Sequence, residues 1–192
     1  MKKTAVIIGK GPSAKEVKKS DEYDIIAINN SVILCEEVDV LVSNDMETLD
    51  NIPTEDWDKI KKVVIPTYPH KDFNAQDKYT WKTFLERIPK KIDYFVHKLK
   101  THRGGFDEFE SLGPSFSSGT TAIQYAAKCG YEEVLYCGID PEGGYNPIFE
   151  RKDENGNPLN HQCRPESNHV YPTNFKIFHE IANANNIKLR KF

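Results

Sequence analysis

No apolar stretch in this chain of 192 residues approaches the roughly 18–20 that a membrane-crossing helix needs. The opening Met1-Lys2-Lys3-Thr4-Ala5-Val6-Ile7-Ile8-Gly9 resembles a signal peptide only superficially, because its apolar run is short and charge resumes at Lys10. The expectation is a cytoplasmic protein with no membrane insertion. Cysteine is sparse: Cys35, Cys129, Cys137 and Cys163 form no C-x-x-C pair, which argues against a disulfide scaffold and against structural zinc. His161-Gln162-Cys163 is the nearest approach to a ligand pair, in a polar loop, and neither metal nor cofactor is expected. Excess positive charge is also missing. The 26 Lys and Arg face 29 Asp and Glu, a net charge of −3, so any nucleic-acid or anionic-membrane binding would have to be local. Internal repeats, low-complexity tracts and dividing linkers are absent, and the length suits a single domain over 1–192 with a sizeable core.

What is present is a set of short runs rich in Val and Ile. They are Ala5–Ile8, Ile25–Ile28, Val38–Val42, Val63–Ile65, Tyr94–Val96, Val134–Tyr136 and Ile187–Leu189. Nearly unbroken apolar runs of this length fit strands buried on both faces of a parallel sheet. Helix patterns lie between them, at Ser13–Lys19, Thr54–Lys62, Lys78–Ile88, Gly119–Cys129 and Phe175–Ala184. The alternation predicts a Rossmann-like, doubly wound α/β fold with a mainly parallel sheet and helices on both faces. Two segments break the rhythm, 66–80 and the longer 141–172, whose glycines and prolines suggest a lid over about 141–168.

Several strand ends carry chemistry. The first run leads into Gly9-Lys10-Gly11-Pro12-Ser13, a turn that brings backbone N–H groups near a ligand, with an expected helix behind it whose positive end favours an anion. It is neither a Walker A loop nor the three-glycine dinucleotide fingerprint. The second run ends in Asn29-Asn30 and the third in Ser43-Asn44-Asp45, where open α/β sheets bind ligands. Ser117-Ser118-Gly119 opens a helix of small residues, a second anion site that plain N-capping would equally explain. Asp140 follows the sixth run on the same rim, and His169 stands at the far end of the long loop, with the chemistry of a proton acceptor near neutral pH. Asp56-Trp57-Asp58 has the D-x-D form of a metal-binding pair, but its place in the first turn of a helix explains the acids by the helix dipole.

Ile8-Gly9-Lys10-Gly11-Pro12-Ser13, Ala27-Ile28-Asn29-Asn30, Ser117-Ser118-Gly119 and Gly130-Tyr131-Glu132-Glu133-Val134-Leu135-Tyr136-Cys137-Gly138-Ile139-Asp140 together resemble the bacterial sialyltransferases that use CMP-activated sialic acid. The broader superfamily includes hydroxymethylpterin pyrophosphokinases and flagellar-locus glycosyltransferase-like proteins. The resemblance covers the first 45 residues and most of 115–192. It implies a metal-independent enzyme, with His169 as catalytic base and with Gly11, Ser13, Asn29, Asn44 and Ser118 at nucleotide- or phosphate-contacting positions. Gly9, Lys10, Ser117, Gly119 and Asp140 join them as neighbours on the same rim. Two departures stand out: Lys10 occupies a position where the family has Asn, and Pro141-Glu142 follow Gly138-Ile139-Asp140 where the family places phosphate-binding tyrosines, so Tyr145 and Tyr171 become the candidates.

The resulting expectation is an inverting glycosyltransferase that takes a nucleotide-sugar donor, CMP-linked, with a glycan or a hydroxylated base in DNA as acceptor. The alternatives are a Mg²⁺-dependent pyrophosphokinase of a pterin-like substrate and a non-catalytic nucleotide-binding module; a homo-oligomer is compatible with each. The basic run Lys90, Lys91, Lys98, Lys100, His102, Arg103 reads as a solvated face, with a polyanion track as the alternative.

Overall fold

Eight strands form one sheet in the order β6-β5-β4-β3-β2-β1-β7-β8, and every neighbouring pair is parallel. The computed structural model describes residues 3–67, 81–99, 110–113, 117–150, 154–156 and 170–192. The strands are β1 (Thr4–Ile8), β2 (Tyr23–Ile28), β3 (Val40–Val42), β4 (Lys62–Pro66), β5 (Asp93–Leu99), β6 (Glu110–Leu112), β7 (Glu133–Cys137) and β8 (Lys188–Lys191). The helices are α1 (Met46–Asp50), α2 (Trp81–Leu85), α3 (Ser118–Lys128) and α4 (Val170–Ala184). The expected Rossmann-like α/β fold is what the chain adopts. From β1 it winds outward to β6, then returns along α3 to β7 on the other side of β1. The order therefore reverses between β1 and β7, where open sheets form a crevice above their carboxyl ends.

Successive strand residues point to opposite faces, and both faces are covered. Val6, Ile8, Ile25, Ala27, Leu41, Val63 and Ile65 share one core with Val32, Met46, Leu49, Ile60 and Phe84. Ala5, Ile7, Ile26, Ile28, Val42, Val64 and Val134 share the other with Ala122, Ile123, Ala126, Phe178, Ile181 and Ala182. This double burial explains why the runs do not alternate with polar residues. The two covers differ in kind. The second face carries α3 and α4, packed on each other, and the small residues Ala122 and Ala126 let α3 lie across β1, β2 and β3. Short pieces cover the first, among them α1, α2 and the 3-10 turns Asn29–Leu34 and Thr54–Lys59.

Two helix expectations fail on that first face. Residues 13–19 form no helix. Val17 makes an isolated parallel bridge with Cys35, its N–H donating to the Leu34 carbonyl at 2.9 Å while Glu36 N–H donates to its own carbonyl at 3.1 Å. Only Ala14 and Val17 are buried there, a single turn's worth of anchoring, and so short a helix does not recover its nucleation cost. Thr54–Lys62 shortens to the 3-10 turn Thr54–Lys59, opened by Pro53. Conversely, α4 begins at Val170, five residues ahead of the apolar stripe, and β6 had no apolar run to announce it.

Candidate functional site

The turn after β1 and the turn after β7 are locked together. Gly9 N–H donates to the Cys137 carbonyl at 2.9 Å and Gly11 N–H to the Gly138 carbonyl at 2.8 Å. A Cβ on Gly9 would lie 2.2 Å from the Gly138 oxygen, and one on Gly138, whose φ is +66°, would lie 2.4 Å from the Gly9 oxygen. These glycines are needed for contact between two backbones. Ser13 completes the lock: its hydroxyl accepts from Gly138 N–H at 2.8 Å, and its own N–H donates to Asp140 Oδ2 at 2.9 Å. Ser13 therefore acts as a clasp and is not among the residues lining the cavity described below. With residues 13–19 not helical, no helix dipole stands behind this turn.

The corner made by β2, β3 and α3 is built from side chains. Ser118 Oγ accepts from Asn44 N–H at 3.0 Å and donates to Asn29 Oδ1 at 3.2 Å. Asn44 Nδ2 donates to Thr121 Oγ1 at 2.9 Å. Thr48 of α1 lies 3.3 Å from Asn29 Oδ1 and is bonded to Ser43 Oγ at 2.6 Å. Asn29 takes φ +56°, a left-handed conformation that Asn tolerates better than most residues, and is only 7% exposed. Ser117 caps α3 through a reciprocal pair, its hydroxyl accepting from Thr120 N–H while Thr120 Oγ1 accepts from Ser117 N–H. The first helical N–H groups, on Ser118 and Gly119, find no acceptor among the described residues, and neither does Asn29 Nδ2.

Both regions open into one cavity of about 360 Å³. Gly9, Lys10, Gly11 and Asp140 line it from the β1–β7 side, and Asn29, Asn44, Ser117, Ser118 and Gly119 from the other. Tyr145 and Tyr171 line it as well, so every candidate of the sequence reading except Ser13 and His169 meets here. His169 lies outside the described residues; Val170, the next in sequence, is a lining residue. Asp45, at the expected ligand-binding end of the third run, and Thr120, beside Gly119, line it too, whereas Asn174, Phe175 and Phe178 were not anticipated. Val170, Asn174 and Phe178 recur every four residues, a stripe legible only once the helix is known to start at Val170. Behind this wall, Tyr136 packs edge-on against Phe178 with ring centroids 5.6 Å apart. Burial, reinforced by the Asp140 charge, pushes the Tyr136 hydroxyl above its ordinary pKa.

The start of the long loop, the first part of the segment expected to form a lid, is docked on the body of the protein. Tyr145 and Phe149 are buried beside Ala14, against Ile33 and Leu34. Asn146 N–H donates to the Lys10 carbonyl at 2.7 Å, and its Nδ2 to the Ala14 carbonyl at 2.9 Å. Gly143 has φ +78°, and a Cβ there would lie 2.3 Å from Tyr171 Cδ2, so the tyrosine ring occupies that space. Residues 151–153 and 157–169, with Arg151 and Lys152, lie outside the described residues.

Other charged features stay away from the cavity. Buried Asp56 pairs with Lys59 and exposed Asp58 with Lys91, so the D-x-D residues form ion pairs at the 3-10 turn. Lys90 and Lys91 precede β5, whereas Lys98 sits near its other end, so these three do not form one patch. Among the described residues no group of three His, Cys, Asp or Glu could hold a metal ion, and no helix is long and apolar enough to cross a membrane. Comparison of the chain with protein-family models, with curated proteins and with solved structures found no match.

Proposed function

We propose that the protein is a glycosyltransferase that binds a nucleotide-activated sugar, CMP-linked, in this cavity and passes the sugar to an acceptor hydroxyl with inversion. One observation carries the reading: Ser118, Gly119 and Asn29, whose N–H groups find no acceptor among the described residues, together line a cavity beside the point where strand order reverses. Fixed donors at the positive end of α3 favour a bound phosphate and stabilise the charge that grows on it as the glycosidic bond breaks. Tyr145, Tyr171 and Phe175 bring aromatic rings to the cavity wall, a lining that suits a base or sugar.

The CMP moiety and the proton acceptor come from the resemblance. On that reading the acceptor oxygen bonds the anomeric carbon, the bond to phosphate breaks, CMP leaves, and the acceptor proton passes to His169. A thermal-shift screen of CMP, UMP, GMP, AMP and their sugar conjugates tests the binding step, because a ligand specific to the folded state raises the melting temperature. Stabilisation by CMP and its conjugates over the other series is expected; no shift with any nucleotide overturns the reading. His169→Ala is then expected to lower turnover by about 10²–10⁴-fold while donor affinity holds.

Asp45 and Asp140 both line the cavity, and this favours a second reading, a Mg²⁺-dependent pyrophosphokinase in which carboxylates hold the metal. Activity abolished by EDTA and restored by Mg²⁺ selects it over the first.

A further inference from the structure

The wall that α4 gives the cavity differs in chemistry from the rest. Val170, Tyr171, Asn174, Phe175 and Phe178 line it from this helix, and three of the five are aromatic. The charges of α4 lie elsewhere: Lys176 and Glu180 are not lining residues and stand 3.6 Å from each other. The Phe175 ring is backed by the His179 ring, with centroids 4.4 Å apart, and meets Tyr136 edge-on at 6.3 Å. A ring packed in this way loses little further freedom when a flat ligand settles against it. Asn174 shares its stripe of the helix with Val170 and Phe178, and Phe178 is only 1% exposed, so the stripe is the inner face of α4. The Asn174 side chain makes no hydrogen bond among the described residues. It is the only amide that α4 brings to the cavity, and an amide carries a donor and an acceptor side by side.

Resting on the proposed nucleotide-binding role of the cavity, we infer that the α4 wall is the nucleobase subsite, with the base packed on Phe175 and its polar edge bonded by Asn174, the specificity-determining residue. A base has two apolar faces and one polar edge, which rings and a single amide match. A sugar carries hydroxyls around its rim, and on this wall several of them would be left without partners. For cytosine, Asn174 Oδ1 accepts from the N4 amino group and Nδ2 donates to N3. A paired contact of this kind is worth about tenfold in discrimination between bases.

The test is calorimetric titration of the whole chain and of Asn174→Leu, Asn174→Asp and Phe175→Leu with CMP, UMP, AMP and GMP. The readout is the ratio of affinities among the four for one protein, a quantity insensitive to the fraction of a variant that is folded. The parent is expected to bind CMP about tenfold more tightly than the weakest of the four. In Asn174→Leu, which can neither donate nor accept, that spread should fall to about threefold or less. The carboxylate of Asn174→Asp only accepts, so it keeps cytosine, which has an amino group on its edge, and rejects uracil, which has a carbonyl there. The CMP-to-UMP ratio should therefore rise about threefold or more above that of the parent. Phe175→Leu should weaken all four by about tenfold and keep their ranking, because every base has a ring face. A parent that binds all four equally, an Asn174→Leu variant that keeps the parent's ranking and spread, a CMP-to-UMP ratio unmoved in Asn174→Asp, or affinities unchanged in Phe175→Leu each overturn the inference while leaving the nucleotide site standing. If a base other than cytosine leads in the parent, the choice of CMP falls and the same ratios decide the inference. Failure of the parent to bind any of the four overturns both.

Discussion

The two halves of the cavity rim are fixed by different means. On the β1–β7 side, backbone touches backbone: Gly9, Gly11 and Gly138 leave no room for a Cβ, and Ser13 and Asp140 clasp the two turns. On the β2–β3–α3 side, the side chains of Asn29, Asn44, Ser118, Thr121 and Thr48 bond to one another, and Asn29, Ser118 and Gly119, which line the cavity, keep N–H groups with no acceptor among the described residues. The first half gives position and little chemistry. The second gives chemistry and depends on the first for its frame. Changes in the two halves should therefore separate stability from binding.

The largest effect is expected at Gly138. Alanine there combines a positive φ with a Cβ 2.4 Å from the Gly9 oxygen. We expect Gly138→Ala to lower stability by about 3 kcal/mol or more, read from the denaturant midpoint. A near-neutral outcome would mean the two turns are not in mutual contact.

Ser118→Ala should be intermediate and act on both properties. It leaves the buried Asn44 N–H without its acceptor and frees the Asn29 amide to rotate. A loss of about 1–3 kcal/mol in stability is expected, with about tenfold weaker nucleotide binding by calorimetry. Asn29→Gly should split the two properties cleanly. Glycine accepts φ +56° without strain, which offsets the lost hydrogen bonds, so stability should stay within about 1 kcal/mol of the parent. Binding should still fall, because the Asn29 amide that lines the cavity is gone. If Asn29→Gly binds CMP as the parent does, the corner is a structural knot only.

How much of this contrast is legible in the sequence follows from its physical origin. The strands are legible because residues such as Val6, Ile7 and Ile8 must be apolar on both faces, and Asn29, Asn44 and Ser118 are legible because polar residues at strand and helix ends stand out against them. The role of Gly138 and Ser13 is hidden, since it depends on β7 returning beside β1 from 127 residues away. The absent helix over 13–19 is hidden for a related reason: Val17 gains more from its bridge to Cys35 than two apolar residues gain from one helical turn. Docking of Tyr145 and Phe149 is equally non-local, so a loop that reads as a lid proves anchored at its start.

The smallest effect sits under the first half of the rim. Cys35 and Cys137 are buried, and burial is the main cause that pushes the Cys35 thiol up to about 12 and raises that of Cys137. Of the three described cysteines, iodoacetamide at pH 8 should label partly exposed Cys129 first and reach Cys35 and Cys137 only on unfolding. The sign for stability follows: unfolded thiols ionise near pH 8.5 while these stay protonated, so stability is full below that value and declines as pH rises from about 8.5 toward 12.

The most direct test of the central claim is amide NMR of the folded chain during titration with CMP. The account predicts saturable shifts of the Ser118 and Gly119 backbone N–H signals and of the Asn29 side-chain amide, with the β8 edge unmoved. Saturable shifts that spare those three groups and gather elsewhere, or no shifts at all, would contradict it.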